Sequence, residues 1–249
     1  MTELHHRVIG SGPPLLMISP GAGRASALRT IAEQLAGTFT VVTYDRDSTR
    51  ERPSIAAHAD DAGRLLEPFA PAYVFGSSIG ALIGLELAVR HAGSVRALVA
   101  HEPPLLHLLP ADERPRLDLH QAFRADGAES ALRAFAARLG VDRGQQSSPE
   151  AAEYFLGTEV GSGMLARYRA DLDTLAGTRV IPGGGAEGRD FFPFRCAAEL
   201  ARRLGTPLAE FPGNHTGFVT HPAAFTARLA HVLIEETGGG HRHEPCGND

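Results

Sequence analysis

Short, largely apolar runs alternate with longer helical patterns along the first hundred residues, and this alternation constrains the fold more than any other feature. It predicts strands at 15–19, 39–44, 72–75 and 95–100, separated by helices at 24–36, 54–69 and 79–91. Apolar runs of this kind indicate strands that are buried on both faces, as in a parallel sheet. Parallel neighbours need right-handed crossovers, which the helices supply. The chain is therefore predicted to adopt an α/β fold with a mostly parallel, doubly wound sheet.

The strand–helix pattern changes after Pro103-Pro104. No strand is evident between 105 and 175, and helical spacing recurs at 128–139 and 165–175. We expect this segment to form a helical cap inserted over one end of the sheet. The alternation then resumes, with a strand at 179–181, a helix at 194–204, a strand at 208–211 and a last helix from Pro222. The predicted organisation is a core of residues 1–104 and 176–236, interrupted by a cap of residues 105–175.

The charged residues exclude several classes of function. All 24 basic residues are arginines, so lysine Schiff bases, lysine-bound pyridoxal phosphate and Walker-type phosphate loops are excluded. The net charge of −5 gives no electrostatic footprint for nucleic acid or an anionic membrane, and no such partner is expected. The first residues, MTELHHR, lack the apolar core of a signal peptide. A cytoplasmic protein is therefore expected.

The cysteines and the C-terminal tail give no sign of a metal or cofactor site. Cys196 and Cys246 can form neither a disulfide framework nor a zinc knuckle. The polar, glycine-rich tail 237–249 is expected to be disordered. Nothing near His241 and His243 in this tail completes a tetrahedral ligand set. No cofactor and no metal are expected.

The segment Gly76-Ser77-Ser78-Ile79-Gly80 carries the clearest chemical signal. It matches G-x-S-x-G directly between a predicted strand and a predicted helix, which is the context of a nucleophile elbow. Glycines two residues before and after the middle serine let strand and helix approach without a Cβ clash. We therefore expect Ser78 to lie on a strained turn, with its hydroxyl above the sheet edge.

A serine hydroxyl needs a base and an oxyanion hole to act as a nucleophile. His215, in the segment FPGNHTGF after the last predicted strand, should reach the same sheet edge as Ser78. The backbone N–H groups of Ile79 and of Ala22, in the loop after the first predicted strand, are the expected oxyanion donors. Four other histidines are expected to be structural: His58, His101, His107 and His221.

Over residues 8–236 the chain resembles the α/β-hydrolase superfamily. Four segments carry the resemblance: GSSIG, the early loop PGAG, YDRDSTRERP and FPGNHTGF. The superfamily often has His-Gly where this chain has Pro20-Gly21, a change that keeps the backbone donors. Asp45 and Arg46 lie in a turn similar to the family's D-R-x-G-x-G-x-S motif without its glycines, and no chemistry is assigned to them.

The resemblance implies an acid that orients the histidine, and it leaves three candidates open. Most members place this acid after the strand that follows the insertion, where Glu187 lies three residues after Gly184 and Asp190 is a rival. Some members, notably among haloalkane dehalogenases, place it after the strand that precedes the insertion. Glu102 occupies that second position. Glu102 and Glu187 are favoured equally, with Asp190 third.

The resemblance also implies a cofactor-free serine hydrolase that acts on a small-molecule ester, thioester or lactone through an acyl-enzyme. Two other classes stay open at this point. The same residues can serve carbon–carbon bond hydrolysis, perhydrolysis or a biosynthetic cyclisation, because the fold does not decide the reaction. The chain could also be a catalytically silent ligand-binding protein on this scaffold. The sequence predicts no oligomeric state.

Overall fold

A single sheet organises the protein in the computed structural model, which describes residues 4–141, 148–175 and 177–234. Within these ranges the sheet has seven strands in the order β1-β3-β2-β4-β5-β6-β7. Only the β1–β3 pair is antiparallel. The predicted α/β fold with a mostly parallel sheet is confirmed. The strands are β1 His6–Ile9, β2 Pro14–Ile18, β3 Thr40–Tyr44, β4 Ala72–Ser77, β5 Val95–His101, β6 Val180–Gly185 and β7 Ala209–Phe211.

Helices cover both faces of the sheet. A 3₁₀ turn, Ala25–Leu28, leads into the first helix. A π-helical segment, Tyr154–Val160, follows the fifth. The α-helices are α1 Arg29–Leu35, α2 Ile55–Leu66, α3 Ile79–Arg90, α4 Leu119–Leu139, α5 Pro149–Glu153, α6 Met164–Arg167, α7 Leu172–Leu175, α8 Phe192–Leu204, α9 Gly217–Thr220 and α10 Pro222–Ile234.

The apolar run of β2 shows why the strand pattern was readable. Leu16 and Ile18 belong to the core that includes buried residues of α2 and α3. Leu15 and Met17 point to the opposite face and pack in the core shared by α1 and α10. Both faces of the strand are therefore apolar, as expected for a sheet between two layers of helices.

Local signals agree with the structure at one helix start and miss an edge strand. The Ser54 hydroxyl accepts a hydrogen bond from the backbone N–H of Ala57 at 3.1 Å, so Ser54 caps α2. The helix ends at Leu66, before the predicted boundary. The strand β1 was not predicted, because three of its four residues are exposed and it has no apolar run.

Residues 105–175, which we call the cap segment, form helices joined by turns and irregular stretches, with no strand among the residues that the structure describes. The predicted helix 128–139 is the second half of α4, whose first half is set off by Gly127 at φ 82°. The predicted helix 165–175 was wrong, because non-helical residues 168–171 separate α6 from α7. The strand predicted at 179–181 was too short, since β6 continues through Gly185. The glycine run 183–185 therefore belongs to the sheet.

Two buried histidines are expected to make the fold sensitive to acid. Burial lowers the pKa of His58 from 6.5 to about 3, with further contributions from Arg46 and Arg50. Burial lowers the pKa of His101 from 6.5 to about 4. Both side chains are protonated more readily in the unfolded chain than in the folded one. Their contribution to the free energy of unfolding is therefore constant above pH 6.5 and decreases as the pH falls below that value. Each pH unit lost in this range costs about 1.4 kcal/mol per histidine. Urea unfolding at pH 7, 6 and 5 should show the midpoint decreasing.

A His58→Leu variant provides the comparison for this prediction. Neither ring nitrogen of His58 has a hydrogen-bond partner among the described residues, so leucine removes no such bond. The variant should lose stability with a shallower slope than the wild type as the pH falls. Equal slopes for the two proteins would show that His58 contributes nothing to acid unfolding.

Candidate active site

Ser78 lies on a strained turn between strand and helix. The strand β4 ends at Ser77, α3 begins at Ile79, and Ser78 between them has φ 56° and ψ −118°. A Cβ at Gly80 would lie 2.1 Å from the Ile18 carbonyl oxygen, so the helix can approach β2 only with glycine there. Positive φ is costly for a side chain such as serine and is common at functional sites. The local geometry is that of a nucleophile elbow.

Ser78 opens into a cavity of about 2240 Å³. The loop after β2, with Gly21 and Ala22, forms part of its wall beside Ile79 and His215. The cap segment supplies much of the remaining wall, including the apolar side chains Leu106, Leu132, Phe135, Phe155 and Leu165. The candidate serine, histidine and backbone donors therefore border one space.

His215 and Glu102 form a buried pair at this cavity. The Nδ1 atom of His215 lies 2.6 Å from Oε2 of Glu102, and the two residues are 6% and 1% exposed. The other carboxylate oxygen, Oε1, accepts a hydrogen bond from the backbone N–H of Gly185 at 2.8 Å. Glu102 follows β5 directly and has φ 49°, so a second strained residue turns this carboxylate toward the histidine. Both oxygens of Glu102 are thereby held in place.

The surroundings of Glu102 favour its ionised form. Burial alone would raise the pKa of Glu102, but the hydrogen bond and charge of His215, with contributions from His101 and the Gly185 N–H, bring it below its usual value. An ionised carboxylate can only accept a hydrogen bond, so the proton between the two side chains belongs to Nδ1 of the histidine. A neutral His215 in this tautomer keeps a lone pair on Nε2, the form that a general base needs.

Of the three acids that the sequence left open, the structure brings Glu102 to His215. The side chain of Glu187 is 62% exposed, and its Oε1 lies 3.7 Å from Nε2 of His221. Asp190 is also exposed. The structure does not bring the Glu187 side chain to His215, and β6 continues through the glycines to Gly185. At that point a backbone N–H faces Glu102 instead.

The two candidate oxyanion donors belong to Ile79 and Ala22, which line the same cavity as Ser78. Ile79 is the first residue of α3, and the first N–H groups of a helix have no intrahelical acceptor. Ala22 lies between Gly21 and Gly23, which have φ 47° and 71°. These positive angles turn the loop sharply after β2. Both donors border the cavity next to Ser78.

Two charged residues to which the sequence assigns no chemistry lie against this loop or pair there. Arg46 is 3% exposed and donates a hydrogen bond from Nη1 to the Ser19 carbonyl oxygen at 2.6 Å. Glu159, in the cap segment, pairs with the same guanidinium at 2.8 Å. The sequence places Arg46 in a family-like turn without assigning it chemistry, and no motif marks Glu159. An acid in the mainly apolar run YFLGTEV was the available signal for a buried partner.

Two other residues named from the sequence, His101 and Cys196, are buried. His101 is fully buried, and its ring centroid lies 5.5 Å from that of Phe211 and 5.3 Å from that of Phe225. Burial raises the pKa of the Cys196 thiol to about 12, which makes it a poor nucleophile. Cys246, the tail 237–249 and its two histidines lie outside the described residues. Among the described helices, none has both the length and the apolar character needed to cross a bilayer.

Known proteins similar to this chain include hydrolases. No family model matches the chain. The chain is 36% identical to the uncharacterized hydrolase YraK of Bacillus subtilis strain 168, over 94% of this chain and 93% of that protein. It is 29% identical to the pimeloyl-[acyl-carrier protein] methyl ester esterase of Chromobacterium violaceum, over 93% and 98% of the two chains.

Solved structures extend the comparison to the fold. The enol-lactonase from Burkholderia xenovorans LB400 superimposes with a TM-score of 0.68 over 92% of this chain and 96% of that chain, at 20% sequence identity. At this identity the likeness concerns architecture. Because the YraK relative spans nearly the whole of both chains, and because the sheet and elbow have the expected form, this chain belongs to the α/β-hydrolase superfamily.

Proposed function

We propose that this protein is a serine hydrolase in which Ser78, His215 and Glu102 act as a catalytic triad. The observation that carries the proposal is the 2.6 Å contact between His215 and Glu102, buried at the wall of the cavity that Ser78 also borders. A buried, ionised acid against a histidine orients the ring and stabilises the imidazolium that forms when the base takes a proton.

The proposed reaction proceeds through an acyl-enzyme. His215 takes the hydroxyl proton of Ser78 as the serine oxygen attacks the substrate carbonyl carbon. The N–H groups of Ala22 and Ile79 hold the oxyanion, and the C–O bond to the leaving group breaks as His215 returns the proton to that group. His215 then removes a proton from water, which attacks the acyl carbon, and the bond between that carbon and the serine oxygen breaks as His215 returns the proton to Ser78 and the acid leaves.

A carboxylic ester is the favoured substrate, with thioesters and lactones as related acyl compounds. The name of the Chromobacterium violaceum relative, a methyl ester esterase, supports an ester. The apolar side chains that the cap segment contributes to the cavity wall, such as Phe135 and Phe155, support an apolar acyl group. The cavity is also large enough for a small-molecule substrate.

Fluorophosphonate labelling read by intact mass tests the proposal. The wild type should acquire one adduct, because an activated serine displaces fluoride from the probe. Ser78→Ala should acquire none, and His215→Ala should label far more slowly because its serine lacks a base. Ser77→Ala is the matched control, since this neighbouring hydroxyl is buried 3.5 Å from the ring of His101, and it should label like the wild type.

Two results would contradict the proposal. A folded wild type that acquires no adduct would show that Ser78 is not activated, and the non-hydrolytic and ligand-binding alternatives would then be preferred. An adduct that persists in Ser78→Ala would place the nucleophile elsewhere. A short-chain nitrophenyl ester assay on the same samples links the label to turnover.

A further inference from the structure

The guanidinium of Arg46 lies behind the loop that supplies one proposed oxyanion donor. Arg46 is buried, and its Nη1 atom donates to the carbonyl oxygen of Ser19 at 2.6 Å. Its Nη2 atom donates to the carbonyl oxygen of Gly21. Both acceptors belong to the stretch of chain between the end of β2 and Ala22.

The hydrogen bond to Gly21 bears directly on Ala22. The carbonyl of Gly21 and the N–H of Ala22 belong to one planar peptide, and in a trans peptide these two groups point in opposite directions. A guanidinium that holds the oxygen on its own side therefore directs the N–H to the other side. Ala22 and Ser78 both border the cavity.

The peptide between Gly21 and Ala22 lies in a turn closed by a 3.0 Å hydrogen bond from the N–H of Gly23 to the carbonyl oxygen of Pro20, and Arg46 adds a restraint from outside the turn. A Cβ built at Gly21 would meet no atom of the described residues within 4 Å, so the loop has open space there. At Gly23 the situation is reversed, because a Cβ would lie 2.5 Å from Cζ of Arg46. The guanidinium is thus packed against the end of the loop while its hydrogen bond restrains the beginning.

The cap segment supplies the counter-charge of this guanidinium. Glu159, in the π-helical segment Tyr154–Val160, has an exposed fraction of 0%, and its Oε1 atom lies 2.8 Å from Nη2 of Arg46. This is the nitrogen that also donates to Gly21. Burying two charges costs hydration free energy that can exceed their mutual attraction. The presence of this ion pair is therefore weak evidence that it stabilises the fold. The other oxygen, Oε2, has no hydrogen-bond partner among the described residues, which adds to that cost.

We propose that Arg46 and Glu159 form a clamp through which the cap segment fixes the direction of the Ala22 N–H toward the oxyanion. Both are positioning residues, since neither contacts the reacting atoms. The inference rests on the proposed serine hydrolase mechanism. It makes turnover depend on the cap segment through one buried ion pair, as well as through the shape of the cavity.

Glu159→Gln tests the clamp, because it keeps the size of the side chain and removes its charge. The steady-state kinetics of the variant are measured with a nitrophenyl ester and with the matched thionoester, in which sulfur replaces the carbonyl oxygen. Loss of one oxyanion donor typically costs roughly 10²- to 10³-fold in kcat. For partial misalignment we expect a decrease of about 10- to 100-fold in kcat for the ester, with KM changed less than about threefold.

The thionoester separates a positioning role from a structural one. Sulfur is a weaker hydrogen-bond acceptor than oxygen, so a misplaced donor should slow the thionoester much less than the ester. General loosening of the site would slow both substrates equally. Asp61→Asn is the matched control, because Asp61 is also buried and paired with an arginine, Arg50 at 2.8 Å, but does not line the cavity in the described structure. It should keep wild-type kinetics.

Arg46→Lys provides a second variant should Glu159→Gln fail to fold. Lysine keeps the positive charge but lacks the planar fork that bridges two carbonyls and a carboxylate. The same ester-selective loss is expected. Wild-type kcat in Glu159→Gln, or an equal loss with both substrates, would overturn the clamp while a labelled, active wild type still supports the proposed function. A wild type that neither labels nor hydrolyses esters would overturn both.

Discussion

Ser78→Ala should lower kcat for ester hydrolysis by roughly 10⁴- to 10⁶-fold, the range found when the nucleophile of a triad is removed. The variant has no oxygen to form the acyl-enzyme, so only the oxyanion donors and substrate binding remain to accelerate attack by water. The KM should change little, because a serine hydroxyl contributes little to binding of the ground state. Steady-state release of nitrophenol, corrected for spontaneous hydrolysis, measures the effect.

The decrease is informative only in a folded protein. Alanine at position 78 must still adopt φ 56°, which is unfavourable for a residue that has a Cβ atom. The circular dichroism spectrum and the urea midpoint of the variant should therefore be compared with those of the wild type. Ser77→Ala, one residue away on β4, should keep turnover within about threefold of wild type. Retention of more than about 1% of kcat in Ser78→Ala would mean that His215 activates water directly or that another nucleophile acts.

The nucleophile elbow was predictable because it depends on residues that are adjacent in the chain. Gly76 and Gly80 are required where β4 and α3 approach, and the apolar strand and helix patterns on either side are local as well. The position of His215 followed from one further rule, that parallel strands deliver their following loops to the same edge of the sheet. Its location at the wall of the cavity with Ser78 agrees with that expectation.

The partner of His215 was not predictable, because it depends on where two distant strands end. Glu102 and His215 are 113 residues apart, and the choice between Glu102 and Glu187 depends on how far β6 continues through its glycines. Glycine is depleted in β-strands, so its propensity does not predict that β6 ends with three glycines. A Cβ at Gly185 would lie 2.5 Å from the carbonyl oxygen of Asn214, so close packing against the histidine loop explains that glycine.

The same limitation applies to Arg46. Its family motif indicated a structural turn, and the turn is present, since the Asp45 carboxylate accepts a hydrogen bond from the N–H of Ala25 at 2.7 Å. The positioning role that we propose for the arginine depends on Glu159, which is 113 residues later in the cap segment. Helical spacing predicted helices in the cap segment, but it could not predict which acid is buried or which residue that acid contacts. Tertiary contacts of this kind decide the site without leaving a local pattern.

Glu102→Gln should lower kcat by roughly 10²- to 10⁴-fold, the range spanned by loss of an orienting carboxylate. The amide has no negative charge to stabilise the imidazolium of His215. It can also present an N–H to Nδ1, which would favour the tautomer that has no lone pair on Nε2. Glu187→Gln is the control, because this exposed acid was an equal candidate in the sequence, and it should stay within about twofold of wild type. A large loss in Glu187→Gln with little change in Glu102→Gln would reverse the assignment.

Combining the two substitutions asks whether Glu102 acts only through the serine. Members of a triad function as a unit, so once the nucleophile is absent the acid has little left to contribute. The double variant Ser78→Ala/Glu102→Gln should therefore be about as slow as Ser78→Ala alone. A further large loss would mean that Glu102 also assists water attack through His215 when the serine is missing. If the losses in kcat of the two single variants add in the double variant, the buried pair acts as a general base toward water. Its action would then not require an acyl-enzyme on Ser78.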